Sequence, residues 1–286
     1  MKVLSTGELH VAEGVLKKYL PRSYKVYGFL HGINRKKPST LEFVVDSWPD
    51  FKVILCRPDP KNKRVQDFVK KVSFYSTDED VLKKMLREEI DWSPFFLIGG
   101  SDISHEPTIK EVALENNVSQ KSYIWVRLLY LPDTSYLPTS DVDSELESRI
   151  SSLNLSHADT VNKTWKFGGD ERGYRNIKNL ISNFLSICIM DVRGKPVAWI
   201  LMYDFCAVGL LYTLPEHRGK GYAKVLISTM AKKLHADGFP VYCFIEEENM
   251  VSYKLFKNMG FVEDSSYRAV WFQFNFSSFE KDAWYN

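Results

Sequence analysis

The residues best able to do chemistry lie between positions 213 and 223. There an apolar run ends at Thr213 and the chain continues Leu214-Pro215-Glu216-His217-Arg218-Gly219-Lys220-Gly221-Tyr222-Ala223. Arg218 to Ala223 spell R-x-x-G-x-A, with a strand-like segment before them and a helix-like one after. Such a turn aims several backbone N–H groups at one point beside a helix start, where the helix dipole favours an anion. Glycines at 219 and 221 let a phosphate approach the backbone, Ala223 leaves the first helical turn unobstructed, and Arg218 and Lys220 add positive charge. The chemistry predicted is capture of a pyrophosphate. Six positions carry modest information, and an ordinary glycine-containing turn between a strand and a helix reads the same way, so the neighbouring elements have to decide.

Just ahead of the turn, Val197 to Pro215 carries Asp204 as its one charge and comes close to the ~20 residues of a membrane helix. It is rich in β-branched and aromatic residues, has its Asp near the middle and lacks a flanking basic belt, which predicts two adjacent buried strands instead. From about residue 148 the patterns give a strand near Ile150, helices over 157–165 and 174–184, and strands over 186–192, 196–203 and 207–214. The turn follows, then a helix over 223–238, a strand over 240–247, a helix over 251–260 and closing strand material at 269–274. Read as β-α-α-β-β-β-α-β-α-β, this is an α/β fold, a mixed sheet with helices on its faces. Lys232, Lys233 and His235 before Gly238 give the helix after the turn a well-formed C-terminus.

Upstream, an amphipathic helix over 7–19 precedes expected strands at Tyr24–Leu30, Phe51–Cys56 and Lys71–Ser76. A helix over 78–89 and a strand over 122–130 follow. The Pro-, Ser-, Thr- and Asp-rich run from Leu131 to Glu145 is the expected linker, dividing a domain at 1–135 from one at 148–276, with 136–147 between them. Thirty-eight Lys and Arg against 36 Asp and Glu leave a net charge of +2, which supplies no field that would argue for nucleic acid. The chain of 286 residues is 44% apolar and 26% charged, as a folded protein is. Cys56, Cys188, Cys206 and Cys243 each sit in an apolar run, without a C-x-x-C pair or a His at zinc spacing, and are expected to be buried thiols with no metal. The N-terminal stretch mixes charges among its leucines, so no secretory leader is expected.

The C-terminal order of elements, with its turn after the fourth strand, Asn249 at the start of the next helix and Gly260-Phe261 beyond, resembles the GCN5-related N-acetyltransferase fold. A closer resemblance covers nearly the whole chain. The segments LKKYLPRSYKVYGFLHGINRKKP, VVDSWPDFK, VNKTWKFGGDERGYRNI and YTLPEHRGKGY are similar to glycine N-acyltransferase and its paralogues. That resemblance implies transfer of an acyl group from acyl-CoA, as co-substrate, to the amino group of glycine or another small amino acid. It further implies a monomer, a mitochondrial location with the cytoplasm as the alternative, and an N-terminal half that is a degenerate copy of the same layout without a cradle. Coenzyme A would lie against Leu211, Tyr212 and Thr213 of the fourth strand, Arg218 to Ala223 of the turn, and Asn249 and Ser252. The acceptor would meet the loop between the first two helices, through Asn162, Trp165, Gly168, Gly169 and Arg175, with Asp170 capping the second helix.

Aminolysis of a thioester needs a neutral amine, a polarised carbonyl and a thiolate able to leave. By the resemblance, the expected general base falls at Ala207 and the expected acid for the thiolate at Phe256; neither residue can serve. The substitutes available are Glu246 and Asp204 as bases and Tyr253 as acid, with Glu246 ranked first because the fifth strand flanks the gap where amine meets thioester. Asp204 reads equally as a hairpin-turn residue, Glu246 as a solvated strand end and Tyr253 as core. A thiol with a pKa near ~8.5 leaves tolerably without an acid. Gly209 suggests a bulge over Val208 to Leu211 whose backbone could hold the oxyanion. Absence of the usual base and acid keeps a second reading open, an acyl-CoA-binding paralogue with weak or no catalysis.

Overall fold

The computed structural model describes residues 1–139 and 144–276. They form two compact units, 1–127 with 265 onward, and 128–264. The expected linker at 136–147 thus lies just inside the second unit, and its residues 140–143 fall outside the described ones.

The first unit runs β1 (Lys2–Val3), α1 (Thr6–Lys17), α2 (Tyr24–Asn34), β2 (Leu41–Val45), β3 (Val53–Pro58), β4 (Lys71–Ser76), α3 (Glu79–Glu89), β5 (Phe96–Asp102), α4 (Glu106–Glu115) and β6 (Gln120–Tyr130). Tyr24–Leu30, expected as a strand, is the body of α2. Tyr24 to Gly32 are all buried, Lys25 and His31 included. A helix buried all round has lost the apolar stripe that would betray its 3.6-residue period, and a short apolar run then looks like a strand. His31 and Asn34 are anchored on Glu13 of α1, at 2.7 and 2.6 Å. Leu41–Val45, Phe96–Asp102 and Glu106–Glu115 are elements that the sequence reading did not name.

Strands of this unit follow the order β1-β2-β3-β4-β5, then the late strand β12 (Val262–Phe274), then β6. Pairing is antiparallel from β1 to β4, parallel between β4 and β5 (Val72 opposite Ile98), and antiparallel between β5 and β12 (Phe272 opposite Ile98). Leu55, Phe74, Ile98 and Phe272 meet Leu82 and Leu86 of α3 and Val112 of α4 in one core.

The second unit repeats that element order. After the short α5 (Ser144–Ser148) come β7 (Ile150–Ser151), α6 (Ala158–Thr164), α7 (Glu171–Asn183), β8 (Ser186–Met190), β9 (Pro196–Met202), β10 (Val208–Thr213), α8 (Tyr222–Ala236), β11 (Tyr242–Glu246), α9 (Met250–Asn258) and β12. Val197 to Pro215 is therefore the expected pair of strands, and no helix among the described residues is long and apolar enough to cross a membrane. β7 to β10 form an antiparallel sheet in the order β10-β9-β8-β7. β11 stands outside it, its lead-in carbonyl at Val241 accepting from Leu131 N–H (2.9 Å), so β10 ends as an edge with a gap beside it. Trp199, Ile200 and Leu201 of β9, Ile177 and Leu180 of α7, and Leu226 and Met230 of α8 form the core beneath. All four cysteines are buried and free, as expected.

Both copies turn from a strand into a helix at the equivalent place, with opposite chemistry. The first copy has Asp78 as N-cap of α3, accepting from Val81 N–H (3.1 Å), followed by Glu79 and Asp80. Lys52 holds the Asp78 carboxyl below its ordinary range, so the charge is present at neutral pH. Three carboxylates at a helix start repel a phosphate. Calorimetric titration is accordingly expected to give one acyl-CoA per chain; a stoichiometry of two would show that the first copy also binds.

Candidate active site

The gap between β10 and β11 opens a cavity of about 360 Å³. One wall is β10 from Val208 to Tyr212, the other is Cys243 to Glu246 of β11. Trp165, Lys166 and Phe167 of the α6–α7 loop lie at its side, with Asn249 and Ser252 at the start of α9. Trp199 and Tyr212 stack within it (5.5 Å between centroids).

β10 carries the expected bulge. Gly209 pairs with Leu201 and Tyr212 with Trp199, three steps along β10 against two along β9, and Leu210 takes up the extra residue at φ +53°. A left-handed conformation costs a side-chain-bearing residue roughly 1–2 kcal/mol. The core of the unit holds it there, and the backbone of Leu210 and Leu211 leaves the ladder beside the cavity. Position 209 has to be glycine for a second reason: a Cβ would overlap the ring of Tyr203.

Glu246 sits at the end of β11 on the cavity wall, ion-paired with Lys166, whose ammonium is also 3.6 Å from Glu248. Lys166 comes from a loop that Asn162 holds in shape. That side chain is buried, accepts from Gly169 N–H (3.1 Å) and donates to the Asp170 carbonyl (3.2 Å). Asp170 caps α7 as expected, accepting from Gly173 N–H (2.7 Å). Gly168 is pressed so close to the Asn162 carbonyl that a Cβ would overlap it. Asn162→Ala strands buried backbone groups and is expected to cost about 1–3 kcal/mol. At ~2–4 °C per kcal/mol for a chain of this size class, a calorimetric scan should resolve the fall in Tm.

The turn from Arg218 to Ala223 takes the conformation that its glycines favour. Gly219 and Gly221 have φ of +78° and +76°, and a Cβ on either would meet no atom within 4 Å, so the space above them is open. Gly221 is the N-cap of α8, and the Lys224 N–H already bonds its carbonyl (3.0 Å), so the N–H groups that have no carbonyl partner within the helix are those at its very start, Tyr222 and Ala223. Arg218 is drawn back onto β10, its Nε donating to the Thr213 carbonyl (3.1 Å) and its guanidinium over the Tyr212 ring. Tyr222 is different: its side chain is buried, stacked near His217 and held by Arg149 (3.2 Å), so only its backbone faces the turn.

Of the expected site residues, Glu246, Leu211, Tyr212, Trp165, Asn249 and Ser252 line the cavity, and Asn249 also caps α9 by accepting from Ser252 N–H (3.0 Å). Asp204 does not line it. It lies in the tight β9–β10 turn, where Cys206 N–H bonds the Tyr203 carbonyl (2.9 Å). Tyr253 donates its phenolic hydrogen to Glu263 (2.6 Å) and is likewise outside the lining, while Phe256 is buried edge-on against Phe261. Arg175 pairs with Glu171 (3.2 Å) on the surface of α7, one helical turn apart. The cation at the cavity is Lys166 instead, a residue of the expected acceptor loop that was not among the site residues expected from the sequence. Tyr203, which also lines the cavity, was not among the expected site residues. Cys243 lines the wall, but burial pushes its thiol well above the usual range, which leaves it protonated and unsuited to an acyl-cysteine intermediate. Among the described residues no group of His, Cys, Asp and Glu could hold a metal ion.

Residues 1–185 match the family model described as aralkyl acyl-CoA:amino acid N-acyltransferase, and residues 187–277 match the model of that family's C-terminal region. The chain belongs to this family. It is 32% identical over 265 residues to glycine N-acyltransferase of Rattus norvegicus, covering 86% of this chain and 90% of that one. It is 30% identical over 271 residues to glycine N-phenylacetyltransferase of Bos taurus, covering 88% and 91%. Among solved structures, a Drosophila protein superposes with a TM-score of 0.77 at 21% identity over 95% of this chain and 97% of that one. A tandem GNAT protein from the clavulanic acid biosynthesis pathway superposes with a TM-score of 0.51 at 12% identity, covering 96% and 98%. These two likenesses show the fold alone: a GCN5-related N-acetyltransferase fold present twice. Family membership makes the protein an N-acyltransferase enzyme.

Proposed function

We propose that this acyltransferase moves an acyl group from acyl-CoA to the α-amino group of glycine or another small amino acid, releasing N-acyl amino acid and CoA. The observation that carries the reading is the cavity itself, which has a strained bulge on one wall, a carboxylate on the other and a glycine-rich helix start close by on the same strand. The pyrophosphate of CoA would bind at Gly219 to Ala223, and the pantetheine arm would run along Leu211 to Thr213 and past Asn249 and Ser252.

Residue roles follow from position. Lys166 offers its ammonium to the carboxylate of the incoming amino acid, in exchange for its pairing with Glu246. Glu246 then accepts a proton as the ammonium becomes an amine. The nitrogen attacks the thioester carbonyl, the backbone at the Leu210 bulge faces the resulting oxyanion, the nitrogen's second proton passes to water, and the C–S bond breaks to give a thiolate. With Phe256 at the usual acid position and Tyr253 engaged by Glu263, that thiolate leaves without a protein acid and takes its proton from water. Monomeric state and mitochondrial location belong to the proposal and rest on the resemblance. Mass spectrometry of a reaction with isotopically labelled glycine and benzoyl- or phenylacetyl-CoA tests the reading. Labelled N-acylglycine is expected; bound but unconsumed acyl-CoA with every amino acid tried would favour a binding protein.

A further inference from the structure

Tyr203 has no role in the scheme above, although its surroundings are unusual. It lines the cavity at the end of β9, and its ring lies directly against Gly209, one residue before the bulge. The indole of Trp165 lines the same cavity beside it. Phe205 stacks on the other side of the ring (5.1 Å, nearly parallel). Glycine at 209 is what allows this approach, so ring and bulge form one unit.

We propose that Tyr203 is a further catalytic residue, whose phenol donates a hydrogen bond to the oxygen of the tetrahedral intermediate formed beside the Leu210 bulge. The proposal rests on the acyl-transfer reading. Two roles are open to a phenol at a thioester, proton donor to the thiolate or hydrogen-bond donor to the oxyanion. Proton transfer from a phenol of ordinary pKa ~10 to a thiolate of ~8.5 is already uphill. Burial raises the Tyr203 phenol further, the Trp165 indole opposes that only in part, and the charges of Asp204 and Glu246 add to it. A hydroxyl that stays protonated throughout the neutral range is a poor acid and a dependable donor to an alkoxide, which is far more basic than a thiolate. No bond to Tyr203 is made or broken: it donates to the oxyanion while the C–N bond forms, and reverts as the carbonyl is restored and the C–S bond breaks.

Tyr203→Phe keeps the ring against Gly209 and removes only the hydroxyl. Its kcat is expected to fall about 10²–10³-fold, the loss typical of one oxyanion donor. Acyl-CoA affinity measured by calorimetry and KM for the amino acid should stay within about threefold of the unsubstituted protein. Trp165→Phe, which keeps the phenol and an aromatic neighbour, should lower kcat by less than Tyr203→Phe. Undiminished kcat in Tyr203→Phe, or a loss matched by equally weakened acyl-CoA binding, would overturn the proposal. If the unsubstituted protein itself shows no turnover with any acyl-CoA and amino acid, the acyl-transfer reading falls and this inference falls with it.

Discussion

A Gly221→Val protein is expected to fold and to lose acyl-CoA. Gly221 holds φ +76° at the start of α8, with nothing within 4 Å of where a side chain would begin. The substitution therefore creates no clash inside the protein. It asks a β-branched residue to adopt the left-handed region, at roughly 1–2 kcal/mol, which a domain of ordinary stability, about 5–15 kcal/mol, survives. The open space above the glycine is where a pyrophosphate would lie, and there valine does its damage. Loss of two charge-assisted hydrogen bonds from backbone N–H groups, at ~1.5–3 kcal/mol each, weakens binding by about a hundredfold or more. Calorimetric titration of the folded variant, with circular dichroism to confirm its fold, decides the matter. Affinity equal to that of the unsubstituted protein would remove the turn from the binding site.

The second large effect is expected at Glu246. Glu246→Gln removes the carboxylate on the cavity wall without changing its shape, and loss of a general base typically costs about 10²–10⁴ in rate. Asp204→Asn, in the hairpin turn away from the cavity, should leave the rate near its starting value and change stability by no more than about 0.5 kcal/mol. Because Glu246 is paired with Lys166, the rate loss has to be separated from damage to the loop. Raising the pH supplies the amino acid already as free amine, so the deficit of Glu246→Gln should shrink at high pH if the missing group is a base. A deficit that stays constant with pH would point to loop damage instead. Full activity of Glu246→Gln at neutral pH with a loss in Asp204→Asn would reverse the ranking.

Element order and the glycine turn ahead of α8 were legible in the sequence because each rests on local chemistry. Strand after strand of the second unit appears at the β-branched and aromatic runs, and Gly219 and Gly221 both take the left-handed conformation in the turn before α8. The bulge was legible only as a suspicion raised by Gly209. What fixes that glycine is the ring of Tyr203, six residues earlier and across a hairpin, and a contact of that kind leaves no periodic trace. α2 was misread because a helix buried on every side shows no period. Asn162 was expected to touch substrate, and its buried amide instead ties down the loop that carries Lys166, since a polar residue two positions from a tight turn serves backbone as readily as ligand. Arg175 was expected at the acceptor, yet helix periodicity places it one turn from Glu171, in reach of an ordinary surface ion pair.

The most direct test follows free thiol continuously while the purified protein is mixed with a panel of aralkyl and aliphatic acyl-CoAs, each with and without glycine, glutamine or phenylalanine. The expected result is thiol release that depends on both partners, saturates with each, and falls by at least about a hundredfold in Glu246→Gln. Acyl-CoA that binds the protein yet releases no thiol in response to any amino acid would contradict acyl transfer at this cavity.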